Sequence, residues 1–91
     1  MAPTGRLLCL HETPLHTVCT VEQVTAPAYA PEWARWLAEL GFIAGEQVTV
    51  LARGAPGADP LMVRAGASTF ALRRAEAACV LVRSVDPVAT R

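Results

Sequence analysis

Lysine is missing from this chain. All eight basic residues are Arg, eight Asp and Glu balance them, and the formal net charge is zero. Sequence-independent binding to phosphate backbones needs clustered cations that displace counterions. Here Arg is scattered from Arg6 to Arg91, with one adjacent pair at Arg73-Arg74. Aromatic residues make up only 5% of the chain, too few for a surface on which bases stack. A nucleic-acid-binding small barrel is therefore a minor alternative.

Long apolar runs are missing too, although 53% of the residues are hydrophobic. Arg, Glu, His or Pro interrupts every stretch before the ~20 residues that a membrane-spanning helix needs. The opening MAPTGRLLCLHE lacks the basic start, apolar middle and small-residue cleavage site of a secretory leader, so a cytoplasmic location is expected. Three cysteines at scattered positions make neither a disulfide framework nor a CxxC pair. Cys79, opening the run CVLV, reads as a small buried hydrophobe. No phosphate-binding glycine motif occurs, Ser68 has no evident base, and the carboxylates stand singly. No catalytic residue and no enzymatic activity are expected.

What the chain does contain is enough apolar material for one domain over residues 1–91. Residues 1–6 and 86–91 read as frayed ends. Arg6 to Leu10 forms a short apolar segment that can clamp onto a sheet, and Thr13-Pro14 breaks it. Residues 17–25 are rich in β-branched side chains and read as the first strand, with a bulge because Val18, Val21 and Val24 do not alternate. A proline-containing linker then ends at Pro31, a residue suited to a first helical turn. Over residues 32–40, Trp33, Trp36, Leu37 and Leu40 fall at i, i+3, i+4 and i+7, one continuous helical stripe. Arg35 and Glu39 are spaced for an i,i+4 pair, and Gly41 ends the helix.

Four further strands are predicted. They cover residues 46–53 with Val48, Val50 and Ala52 on one face, residues 61–65, residues 69–73, and residues 79–85 after a helical turn at residues 73–77. Dense turn composition over residues 54–60 separates the first two. Five short strands and one short α-helix describe a mainly β fold, a small, partly open SH3-like barrel.

The order of motifs in residues 37–82 points further. LAELGF-x-x-G-x-x-V-x-V is followed by G-x-DPL-x-V-R, then by F-ALRR-x-EA and a closing apolar strand. Carried by Leu37, Leu40, Gly41, Phe42, Gly45, Val48, Val50, Asp59, Pro60, Leu61, Val63, Ala71, Leu72, Arg73, Arg74, Glu76 and Ala77, this pattern resembles the ferrous iron transport protein A (FeoA) family. The resemblance implies an SH3-like barrel acting in bacterial ferrous iron uptake. It implies a partner, an FeoB-like membrane transporter with a cytosolic GTP-binding domain, met by protein–protein contact. Two positions depart from the family pattern: Pro14-Leu15-His16 stands where a glycine is frequent before the first strand, and Trp36 where an arginine is frequent.

Three groups of residues are candidates for function. Trp33 and Trp36 are a large apolar payload for one short helix, and the first reading is core, since a lone helix on a small barrel must bury its apolar face; the alternative is that one of them, with Phe42 or Leu51, stays partly exposed as a hydrophobic docking patch. Arg73 and Arg74 offer a fork for acidic groups, or else a solvated turn with a local Glu76 ion pair. Cys9, His11, His16 and Cys19, spaced C-x-H-x4-H-x2-C, are ligand types for zinc or another transition metal. Pro14 divides them and the spacing matches no standard finger, so no bound cofactor is assigned; a metal-binding or metal-sensing role is the alternative they carry. An exposed strand edge would also permit a homo-oligomer.

Overall fold

The computed structural model describes residues 6–84. Its elements run β1 (Arg6–Cys9), a 3-10 turn (Leu10–Glu12), β2 (Cys19–Val24), α1 (Glu32–Leu40), β3 (Gln47–Arg53), β4 (Leu61–Ala65), β5 (Ser68–Leu72), α2 (Arg74–Ala77) and β6 (Val80–Ser84). All strand pairs are antiparallel, and the order β1-β6-β2-β3-β4-β5 leaves β1 and β5 at the two edges of an open, barrel-like sheet.

The strands follow from β-branched side chains that pack on a pleated surface. In β4, Leu61, Val63 and Ala65 are buried while Met62 and Arg64 face out, a clean period of two. The core joins these to Leu10, Val21, Leu37, Phe42, Val48, Val50, Leu72, Val80 and Val82. Arg53, at the end of β3, ties in the segment before β2 by donating from its guanidinium to the carbonyl of Thr13. Thr13 is itself fully buried and donates its hydroxyl to the carbonyl of Leu10 at 3.0 Å.

The predicted helix spans the residues that its periodicity marked. Gly41, at φ 120°, ends it and lets Phe42 N–H donate to the carbonyl of Leu37 at 3.0 Å. The predicted bulge lies in β2, where the register with β6 slips between Val21 and Gln23.

Four expectations are corrected. Among the described residues there are six strands where about five are expected, because the segment Arg6–Cys9 becomes a true edge strand on β6. In β3 the register slips between Val50 and Ala52, so Ala52 turns outward instead of joining Val48 and Val50 in the core. Among the described residues no ion pair joins Arg35 to Glu39; the pair formed is Arg83 with Glu22, at 2.9 Å. Glu76 does not pair with the guanidinium of Arg73. Its carboxylate instead accepts from the backbone N–H of Arg73 at 2.8 Å and caps α2. Arg6 lies in β1, while the remaining predicted frayed residues and Val85 lie outside the described residues.

Candidate docking groove

Nine residues of α1 present two faces. Leu37 is fully buried, and Trp33 and Leu40 lean half-buried on the core. One step around the helix, Trp36 keeps 38% of its surface exposed. Tyr29, from the linker before α1, meets Trp33 edge-on at 5.8 Å and is itself 77% exposed. The two tryptophans therefore divide the roles that the sequence left open: Trp33 secures the helix and Trp36 faces outward.

Trp36 lies in an open groove of about 420 Å³ walled by Glu32, Trp33, Arg35, Trp36, Glu39 and Glu76. Five of these come from α1; Glu76 is brought across by α2. The four-residue α2 is too short to be stable by itself. Its position is set by the Glu76 cap, by the buried Ala77 and by Asp59, whose Oδ1 accepts from Arg74 N–H at 3.0 Å.

The other candidates part company. Phe42 is fully buried in the core, its ring 5.9 Å from Phe70, so it is removed from any docking patch. Phe42 follows Gly41, outside the helical period, where periodicity assigns no face. Leu51 is half-buried at the β3 irregularity and does not wall the groove. Arg73 and Arg74 are exposed, and Arg73 lines a separate hollow of about 410 Å³ with Asp59, Pro60 and Ala71.

The Cys/His group is not assembled. Cys9 ends β1, His11 sits in the 3-10 turn, His16 occupies an exposed turn at φ 63°, and Cys19 is buried in β2 with its thiol 3.5 Å from the carbonyl of Thr17. Among the described residues no group of three or more His, Cys, Asp or Glu side chains is gathered for a metal ion. Burial pushes all three thiols above their ordinary value near 9.0. At Cys19 the Thr13 hydroxyl opposes this, while Glu76 and Cys9 add to it at Cys79.

This upward shift has a signed consequence. Below about pH 9 the thiols are protonated whether the chain is folded or not, and the fold keeps its full stability. Above it the unfolded chain ionises first, so stability falls until the folded thiols titrate. The urea midpoint should therefore drop as the pH rises past about 9, and less steeply in Cys19→Ala; equal slopes would show that Cys19 contributes nothing.

Sequence reasoning missed Glu32, Glu39 and Glu76. The first two were legible as i and i+7 neighbours flanking Trp36, whereas Glu76 joins them only through tertiary packing.

Among the described residues no helix is long and apolar enough to cross a membrane. A comparison with curated proteins found no match. Among solved structures, the chain is similar to Stenotrophomonas maltophilia FeoA, determined with zinc and described as a prokaryotic SH3 domain protein and a candidate activating factor of bacterial ferrous iron transport. That match has 45% identity and a TM-score of 0.74, covering 82% of this chain and 88% of the other. It is also similar to the FeoA protein of Chlorobium tepidum, with 29% identity, a TM-score of 0.71, and 87% and 71% coverage. T. acidophilum IdeR shares the fold alone, at 14% identity and a TM-score of 0.69 over 94% of this chain and 37% of that one. The FeoA domain pattern itself matches residues 8–84, nearly the whole described structure. With an SH3-like sheet, the motif order of residues 37–82 and this match in agreement, the chain belongs to the FeoA family.

Proposed function

We propose that this protein is a small cytoplasmic accessory of a bacterial ferrous iron uptake system, acting by contact with the cytosolic GTP-binding domain of an FeoB-like membrane transporter. The observation that carries the reading is the outward indole of Trp36 in the groove between α1 and α2. Tryptophan is enriched where protein interfaces concentrate their binding energy, and leaving one in water has no benefit for the fold. Family membership supplies the system, and the description of the S. maltophilia protein as a candidate activating factor supports the direction of the effect.

The test is binding of the purified transporter domain to this protein and to Trp36→Ala. Loss of an interface tryptophan costs about 2 kcal/mol or more, roughly thirtyfold in affinity. Binding should fall by that order while the circular dichroism spectrum stays that of the fold and the thermal midpoint drops less than in Trp33→Ala, because 38% of the Trp36 surface is already exposed. Wild-type binding by the folded Trp36→Ala protein would refute the assignment. Trp33→Ala serves as the contrast, since its half-buried ring should cost stability first.

A further inference from the structure

The charge of the groove says what it is built to hold. Glu32, Trp36 and Glu39 fall at i, i+4 and i+7, so carboxylates stand about one turn to either side of the indole. Glu76 closes the far wall. Its Oε1 is engaged with the N–H of Arg73, which leaves its second oxygen free. Arg35 is the one cation in the wall, and three carboxylates against it leave a local charge of −2 on a chain whose formal net charge is zero. Among the described residues neither Glu32 nor Glu39 is ion-paired. Arg35 stands between the two helix carboxylates, three residues from Glu32 and four from Glu39, so it offsets only part of their charge and the wall keeps an excess of negative charge that a cationic ligand would lower.

We infer that the α1–α2 groove binds a cationic apolar segment: a short stretch of a partner protein that presents an arginine among leucine-like side chains. This rests on the reading of the groove as a docking face and adds the chemistry of its occupant. Arg suits the site better than Lys, because a planar guanidinium stacks on an indole while its fork reaches a carboxylate. Apolar neighbours of that arginine would cover Trp33 and the remaining surface of Trp36.

The experiment is a nuclear magnetic resonance titration of the 15N-labelled full chain with two helical peptides of equal length, one of Leu and Arg, the other of Leu and Glu. The Leu/Arg peptide should shift the Trp36 indole N–H and the amides of residues 32–40 and 74–79. Its affinity should fall several-fold between 50 and 300 mM NaCl, as screening dictates. Removing two carboxylates in E32Q/E39Q, with circular dichroism as the check that the helix persists, should weaken it roughly tenfold, at the upper end for two exposed ion pairs. Equal binding of the Leu/Glu peptide, wild-type affinity in E32Q/E39Q, or shifts centred elsewhere would each overturn the inference.

Parallel titration with the transporter domain separates the two readings. If E32Q/E39Q loses the peptide while the transporter domain ignores even wild type, the cationic occupant is supported and the transporter reading fails. If the peptide never binds while Trp36→Ala still loses the transporter domain, the cationic occupant is refuted and the docking face stands.

Discussion

Phe42→Ala is expected to cost about 3–5 kcal/mol of folding stability, the usual range for deleting a buried aromatic ring. Phe42 is fully buried, meets Phe70 at a tilted 55° with centroids 5.9 Å apart, and is among the largest side chains in the core. A domain of this size has only about 5–15 kcal/mol to lose, so the variant should give up a large share of its stability. The loss should appear as a lower urea midpoint with an unchanged slope. Phe42→Leu, which keeps part of the volume, should lose about 1–2 kcal/mol. A loss below about 1 kcal/mol in Phe42→Ala would mean that the ring does not anchor the core. The result also matters for binding work, because Phe42→Ala would weaken any partner simply by depopulating the fold.

That contrast between Phe42 and Trp36 shows where sequence was sufficient. The helix Glu32–Leu40 was legible because its signals are local: a 3.6-residue stripe, Pro31 before it and Gly41 after it. The β2 bulge was legible because three valines refused to alternate. Failures came where the deciding partner is remote. Arg6–Cys9 is a strand only because β6, over seventy residues later, offers it an edge. The slip that turns Ala52 outward leaves no mark in QVTVLAR, whose alternation reads as regular. At the candidate site the tryptophans were visible, but their separate roles depend on which side of α1 meets β2, and the acidic wall depends on where α2 lands.

One of the supports of α2, the Asp59 contact, depends on a close backbone approach at Gly54, and Gly54→Ala is expected to cost about 2–3 kcal/mol, in the range for forcing atoms into a packed site. Gly54 N–H donates to the carbonyl of Pro60 at 2.7 Å, closing the neck of the loop between β3 and β4. A Cβ there would lie 2.9 Å from the carbonyl oxygens of both Asp59 and Pro60 and 3.0 Å from the Asp59 carbonyl carbon. These are backbone atoms, so no rotamer change relieves the clash and the neck must open. Opening it withdraws Asp59, whose carboxylate holds the Arg74 N–H at the first turn of α2. Asp59→Ala alone should cost about 1 kcal/mol, as for other lost helix-terminal acceptors. The double variant should then cost less than the two singles together, because an open neck has already lost the contact that Asp59→Ala removes. Urea denaturation of the four proteins gives the coupling, and hydrogen exchange at the Arg74 amide should quicken in each single variant. Additivity within about 0.5 kcal/mol would refute the link. A coupled result would mean that a glycine in the β3–β4 loop supports, through Asp59, the first turn of the helix that carries Glu76.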